Sequence, residues 1–417
     1  MTSRESVEAR KRLPGRYWRQ WVASAVSNVG DGMNGAAMPL LAYSLTRDER
    51  LLALVSFASF IPWFLLALPV GVYVDRYNRQ RLMVVANIMR AVLFTVIAFT
   101  AASGSISIGT LIVLLLAVGC CEVVFDSSAQ AFLPSIVDDD QLPRANGILY
   151  ATEVICNGFL GLPFGAWLWV IAIGVPFGVN AASFALAALL VATITPSRPY
   201  QPSTAKPEPF RRQLAEGMHW LRDHRLLRTL AVMLGVTNMC FQMGEALFVK
   251  FAADELGLGP RGFGFLLAVM SIGSIVGGLL GDRIGDRLGH RVALVGSYAV
   301  FGISEIITGV APAAWVVVFS SLLMGVASNV WNIITVSMRQ RVIPAELFGR
   351  VNSAYRWIGT GSIGIGALIG GQIAYATNLR APFLVGGALT LVTLALFARV
   401  VMQEMTARPQ VSQSPTP

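Results

Sequence analysis

Long uncharged stretches alternate with short charged ones along this chain, and no other property constrains its fold as strongly. Residues 51–74 carry no Asp, Glu, Lys or Arg, and residues 82–101 carry one, Arg90. Between them the stretch GVYVDRYNRQR (71–81) holds Asp75, Arg76, Arg79 and Arg81. Of the 417 residues, 55% are hydrophobic and 13% charged, against about 25% charged in a soluble domain. That composition cannot supply a polar skin, so the expected solvent for most of the surface is lipid. Twelve apolar segments, at about 19–44, 51–74, 82–102, 106–132, 147–172, 174–195, 228–250, 262–284, 291–311, 313–337, 352–376 and 381–402, are long enough or nearly so to cross a membrane. Runs of this kind predict helices, since barrel strands alternate over about 10 residues. The expected fold class is an all-α integral membrane protein with twelve transmembrane helices.

Charge predicts the orientation. When alternate loops are assigned to opposite sides, the side of the N-terminus collects 26 Lys/Arg and the other side five: Arg47, Arg50, Lys250, Arg261 and Arg380. Positive loops stay inside, so both termini are expected in the cytoplasm of a multi-pass cell-membrane protein. The apolar run after the basic start is too long for a signal peptide's core and shows no small-residue cleavage site. Cys120, Cys121, Cys156 and Cys240 lie in apolar segments with no metal-ligand spacing and read as free buried thiols. No metal site and no cofactor is expected.

The middle of the chain changes character. PSRPYQPSTAKPEP (196–209) is Pro-rich and polar, a linker by composition. In the following stretch Phe210, Leu214 and Leu221 share a helical face ringed by arginines, which predicts a short helix on the cytoplasmic membrane surface. The expected divisions are a tail at 1–18, a six-helix bundle at 19–195, a linker with its surface helix at 196–227, a second bundle at 228–402 and a tail at 403–417. The halves resemble one another. Residues 75–79 answer to 286–290, SNVGDGM (27–33) to TNMCFQM (237–243), and VDDDQLPRAN (137–146) to VIPAELFGRVN (342–352) with one insertion. Three matches in the same order indicate a duplicated six-helix unit, and parallel repeats place a binding site near the midplane between halves.

The loop of residues 71–81 also resembles the G-x-x-x-D-[RK]-x-G-[RK]-[RK] signature of the major facilitator superfamily. Gly71, Asp75, Arg76 and Arg79 match it. Asn78 stands where the family has Gly, a substitution expected to work because Asn also adopts a left-handed backbone. In the second half the pattern reads at Asp286, Arg287, Gly289 and Arg291, or four residues earlier from Gly278. FLPSIVDDDQLPRAN, VNAASFALAALL (179–190), LAEGMHWLRDHRLLR (214–228) and QRVIPAELFGRVNS (340–353) are similar to the branch containing macrolide-efflux and enterobactin-export proteins. The resemblance implies a major facilitator fold of two pseudo-symmetric six-helix bundles and a drug:proton antiporter function. It also implies that the Asp/Arg loop, including Asp286, Arg287 and Arg291, forms a cytoplasmic gate; topology charges alone would explain the arginines but not a carboxylate in both halves. In the family, helices 5 and 8, like 2 and 11, pack between halves, and Gly158, Gly161, Gly165, Gly273, Gly277, Gly281, Gly366 and Gly370 mark those helices. GFLGLPFGA (158–166) loosely resembles the antiporter motif of helix 5 but lacks its Gly-Pro pair.

Ionisable groups in a membrane cost about 2.5–3.5 kcal/mol each on insertion scales and mark function. Asp31, Arg90, Glu122, Asp126, Glu153, Glu245 and Glu305 all fall within the predicted helices. Asp31 and Glu122, nearest the midplane, are the proton-coupling candidates. Arg90 and Glu153 are each about two turns from the cytoplasmic end and are expected to neutralise one another. Asn28, Asn34, Asn238, Gln242 and Asn332, with Trp63 and Trp331, are candidates to line a substrate cavity; the bland alternative for each is interhelical packing.

The leading expectation is a secondary active exporter that exchanges protons for amphipathic organic molecules such as drugs. Siderophore or metabolite export, import, and non-transporting sensing remain alternatives. No HExxH, GxSxG or Walker A pattern is present, so neither an enzyme nor ATP drive is expected. The expected partners are the lipid bilayer, protons and a small amphipathic substrate, with no nucleic acid and a monomeric chain.

Overall fold

The computed structural model describes residues 12–74, 76–197 and 210–405. Asp75 and most of the Pro-rich linker lie outside the described residues. Fifteen α-helices follow in order: α1 Gly15–Leu45, α2 Glu49–Val74, α3 Arg79–Ala102, α4 Ile108–Phe132, α5 Leu142–Glu153, α6 Leu162–Ile171, α7 Val175–Ala192, α8 Phe210–Asp223, α9 Arg225–Glu245, α10 Phe248–Asp254, α11 Pro260–Leu288, α12 His290–Val310, α13 Ala314–Val342, α14 Ala345–Ala376 and α15 Ala381–Glu404. Among the described residues there is no strand. Eleven spans are long and apolar enough to cross a membrane, α5 to α6 and α9 to α10 each counting as one. The twelfth is α1. Its 31 residues reach about 46 Å at a 1.5 Å rise, but Ser24, Ser27, Asn28, Asp31 and Asn34 make it too polar to register by hydropathy. Lipid-facing rows are visible on single helices: Val85, Met89, Val92, Val96 and Phe99 run along one exposed face of α3, the arrangement expected where the solvent is hydrocarbon.

The chain forms two compact units, Met1–Met38 with Leu65–Ile106 and Leu116–Lys206, and Pro39–Phe64 with Ser107–Leu115 and Pro207–Pro417. The first unit packs Tyr17, Met83, Ile136, Val137, Ala145, Ala187 and Val191 into one core. The second packs Leu227, Leu230, Leu294, Tyr298, Ile334, Ile343, Val351 and Tyr355 into another. The repeated segments thus serve the same end: 137–146 supplies Val137 and Ala145 to one core, and 342–352 supplies Ile343 and Val351 to the other.

The loop between α2 and α3 and its second-half counterpart reach the same turn by different chemistry. Gly289 takes φ 80° between α11 and α12, a backbone that favours glycine. Asn78 does not adopt the expected left-handed conformation. It is extended at φ −63° and ψ 110°, and its side chain accepts from the Arg81 N–H as the N-cap of α3.

Between α5 and α6 the helix widens into a π-helix over Val154–Gly161. Pro163 follows directly. Its ring would clash with the carbonyl four residues back and it donates no hydrogen bond, and the wider turns relieve that conflict.

In the second unit, α8 is the amphipathic helix expected from the sequence. Protein covers part of its face: Leu221 is buried in the core, and a Cβ at Gly217 would lie 2.3 Å from the Arg350 carbonyl oxygen on α14. Glu216 joins the two helices, accepting from Arg212 at 3.0 Å and from Arg350 at 2.6 Å. The glycines of α11 serve packing within this unit as well. Gly273 and Gly277 lie against the α13 backbone at Leu322 and Val326, and Gly366 and Gly370 of α14 against Met239 and Met243 of α9. Each of these rows joins neighbours within one unit, and Gly361, Gly364 and Gly371 of α14 meet Phe64, Phe57 and Ala53 of α2 in the same unit.

Two polar features of this unit yield measurable consequences. Lys250 of α10 donates to Glu49 Oε1 at 2.5 Å and to the Arg47 carbonyl at 2.5 Å, and Lys250 and Glu49 are only 10% and 18% exposed. Lys250→Met strands Glu49 without its partner and should destabilise the protein by an amount at the lower end of about 3–5 kcal/mol. The fall in unfolding temperature measures it, and adding Glu49→Gln should recover part of the loss.

His224 is the N-cap of α9; its Nδ1 accepts from the Leu227 N–H at 3.3 Å. Burial holds its imidazole below the ordinary value, partly opposed by Glu404. With the folded value lowered, the unfolded chain takes the proton first. Its stabilisation is therefore complete above about pH 6.5 and declines as the pH falls below that. His224→Asn caps without titrating, so hydrogen exchange at Leu227 should lose its acceleration on the acid side.

Candidate functional site

The intramembrane charges of the first unit meet at one arginine. Arg90 of α3 is 2% exposed, and its Nη2 lies 2.8 Å from Asp31 Oδ1 on α1. Its guanidinium lies over the Phe184 ring at 3.8 Å and near Phe125 at 5.7 Å. Glu122 and Asp126, one turn apart on α4, also act electrostatically on it. An arginine keeps its charge in a protein. A single positive charge is therefore bonded to Asp31 and shared electrostatically with Glu122 and Asp126.

Local sequence explains why Asp31 lies there. It stands between Gly30 and Gly32, and each glycine admits a different neighbour. A Cβ on Gly30 would fall 2.1 Å from Asn180 Oδ1 on α7. One on Gly32 would fall 2.2 Å from the Asn157 carbonyl oxygen in the π-helix. Gly161 returns the contact at 2.6 Å from Gly32 Cα, and Gly165 meets the Met33 backbone. Here α1 is gripped on two sides, which holds the carboxylate between them in register with Arg90.

This geometry corrects one expectation. Arg90 bonds to Asp31 and not to Glu153, which ends α5 and has Asp31 as its charged neighbour. Sequence reasoning also passed over Asn87, Asn180 and Phe184. Asn87 and Asn180 are fully buried, and neither amide nitrogen has a hydrogen-bond partner. Both are polar residues inside apolar runs, the same signal that singled out Asp31.

In the second unit, three of the predicted cavity residues converge. Asn238 of α9 and Trp331 and Asn332 of α13 line a cavity of about 220 Å³ together with Ser297, Tyr298 and Phe301. Trp331 packs on Tyr298 with ring centroids 5.1 Å apart, and Asn238 donates to the Gly359 carbonyl at 3.0 Å. The others do not join it. Gln242 donates to Ser56 at 2.8 Å, Trp63 lies half-buried on α2, and Asn28 bonds to Ser24 within α1. Asn34 has a buried amide oxygen without a hydrogen-bond partner.

The gate residues divide. Gly71 lies in the last turns of α2, and Asp75 lies outside the described residues. Arg76 is exposed. Arg79 donates to the Ala131 carbonyl at 3.0 Å, and Gln80 to the carbonyls of Val191 and Ile194 at 2.8 and 2.7 Å. The start of α3 thus satisfies orphan carbonyls at the C-terminal ends of α4 and α7, where cations and donors are favoured. Asp286, Arg287 and Arg291 are exposed at the junction of α11 and α12.

Eleven spans long and apolar enough to cross a membrane among the described residues, with the long polar helix α1, define a polytopic membrane protein. The chain belongs to the transmembrane secretion effector family of the major facilitator superfamily, whose model matches residues 16–417. It is 21% identical over 382 residues to macrolide efflux protein A of Streptococcus pyogenes, covering 90% of this chain and 93% of that protein. It is 25% identical over 374 residues to the multidrug efflux pump Tap of Mycobacterium tuberculosis, covering 87% and 88%. Among solved structures it is similar to the nucleoside transporter NupG, with a TM-score of 0.73 at 12% identity, covering 95% of this chain and 100% of that one. A bacterial homologue of ferroportin gives a TM-score of 0.72 at 14% identity, with 95% and 100% covered. These structures share the fold; the two efflux proteins share most of the length.

Close packing around Asp31 is testable. Gly32→Ala puts a methyl into backbone that cannot yield without separating α1 from the π-helix, and overpacking of this kind costs about 1–3 kcal/mol. Gly147→Ala on α5 meets nothing within 4 Å and should gain up to about 1 kcal/mol from helix propensity. Unfolding temperatures in detergent should move in opposite directions for the two variants.

Proposed function

We propose that this transporter is a proton-driven exporter of amphipathic organic molecules, set in the cell membrane with both termini in the cytoplasm. The observation that carries the proposal is the single buried arginine facing Asp31, Glu122 and Asp126. Charges cannot be left uncompensated in a membrane interior. Arg90 is bonded to Asp31, so the charge of Glu122, which acts on the same guanidinium, is met by a proton. Asp31 is held by Arg90; Glu122 feels the same guanidinium without a recorded bond to it. A proton arriving at Asp31 weakens its hold on Arg90, whose charge is then shared with Glu122 and Asp126. That exchange ties proton uptake to the helices α1, α3 and α4.

The cavity of Asn238, Trp331 and Asn332 supports an amphipathic substrate. Aromatic walls with a few amides are the usual lining of a small-molecule site. The efflux relatives favour export over import. The orientation rests on the 26-to-5 distribution of basic residues. The reading calls for no cofactor, metal ion, nucleic acid, catalytic residue or second subunit. Arg79 anchors the loop that begins with Asp75, and the gate role of that loop belongs to the same proposal.

Efflux from proteoliposomes under an imposed pH gradient tests the reading. Asp31→Asn and Glu122→Gln should each insert normally and lose gradient-driven transport by at least tenfold, while energy-independent substrate exchange survives. If both variants respond to the gradient as the parent does, the coupling site is elsewhere. If exchange of macrolides and lipophilic dyes is absent in the parent, the substrate class is wrong.

A further inference from the structure

The second unit contains a carboxylate that the coupling scheme does not use. Glu305 of α12 is 1% exposed, and its Oε2 has no hydrogen-bond partner. It lines a cavity with Glu245, the last residue of α9, and the apolar side chains of Phe241, Phe248, Met270 and Phe383. The cavity has room for about one water molecule, so it cannot take an organic cation. The charge of Glu245 acts on Glu305, which makes a second bare carboxylate there still less favourable.

No basic side chain is recorded with Glu305 from any helix packed around it. From α9 it faces Glu245 and the thiol of Cys240. From α11 the lining is Leu266, Leu267 and Met270; from α13 it is Ser321 and Met324; from α15 it is Phe383. Ser320, beside Ser321, is bonded to Thr308 at 2.8 Å. The nearby bases in the chain are engaged elsewhere. Lys250 holds Glu49, and Arg380 holds Glu255 at 2.8 Å and the carbonyls of Gly309 and Ala311. A buried carboxylate with no partner is too costly to persist as an anion, and a cavity this small limits what can neutralise it.

We propose that Glu305, with Glu245 facing it, is a proton-binding site of the second unit, separate from the carboxylates around Arg90. Its place adds meaning. The helix breaks immediately after Glu245, at Ala246 and Leu247, before α10 carries Lys250 to Glu49. Gly244 lies against the Phe383 ring, where a Cβ would come within 2.3 Å. The proton therefore resides at the hinge between α9 and α10, where its loss would introduce an unpaired negative charge into an aromatic joint.

Infrared difference spectroscopy on the purified full chain tests this without transport. The carbonyl stretch of protonated carboxylic acids should be present at neutral pH, with one component of it lost in Glu305→Gln and retained in Asp31→Asn and Glu122→Gln. Gln is isosteric with protonated Glu, so the variant should keep the parent's gel-filtration profile. In Glu245→Gln the band should persist at a shifted frequency. Replacing sodium by choline should leave it unchanged. A spectrum in which Glu305→Gln removes no acid band overturns the site. So does a band that appears only when sodium is withdrawn, which would make the occupant an alkali ion. Because no substrate or gradient is present, failure of the Asp31 and Glu122 coupling scheme leaves this result standing, and the reverse also holds.

Discussion

The free energy of an uncompensated charge in hydrocarbon is the constraint on which this structure depends. It explains why Arg90, buried among helices, has a carboxylate bonded to it and an aromatic ring stacked on it. It also explains the selectivity of the interior. Polar groups in the spans are received by an arginine, as Asp31 is, by another helix, as Gln242 is, or by their own helix, as Asn28 is. Around Arg90 the carboxylates of Asp31, Glu122 and Asp126 gather about one fixed positive charge.

Close helix approach is the second condition, and it is met by glycine rather than by larger apolar groups. In the membrane there is no hydrophobic force between helices, so contact depends on van der Waals fit. Gly30 and Gly32 hold α1 against α7 and the π-helix; Gly273 and Gly277 hold α11 against α13. Where Pro163 interrupts the regular ladder, the π-helix absorbs the defect and places Asn157 and Gly161 against α1. Packing and chemistry meet there, since the same contacts that close the first unit position Asp31.

The second unit carries its own polar economy. Tyr43 bonds to Asp254, Lys250 to Glu49 and Arg380 to Glu255, all around α10 and its neighbours. Every one of these cations is matched, which is why Glu305 stands out. At the other end of the unit, Glu216 and Arg350 fasten α8 to α14, so the segment after the linker is part of the folded body.

Much of this was legible in the order of residues. Uncharged runs determine helices in lipid, because backbone polar groups must be satisfied within the segment. The repeat of 137–146 at 342–352 marked the segments that enter the two cores, and Asn238, Trp331 and Asn332, picked out by polarity and position, line one cavity. Partnership was not legible. Spacing along a helix gives depth and face, but which neighbour receives that face depends on contacts many residues away. Arg90 reaches Asp31 on α1, a helix that Gly30 and Gly32 pack against α7 and the π-helix. Asn78 caps a helix where a left-handed turn was expected, because its side chain found the Arg81 N–H. Glu305 showed in the sequence only as one more acidic residue in a span; that it has a facing carboxylate and no base was decided by tertiary packing, which alone sets what each buried charge can touch.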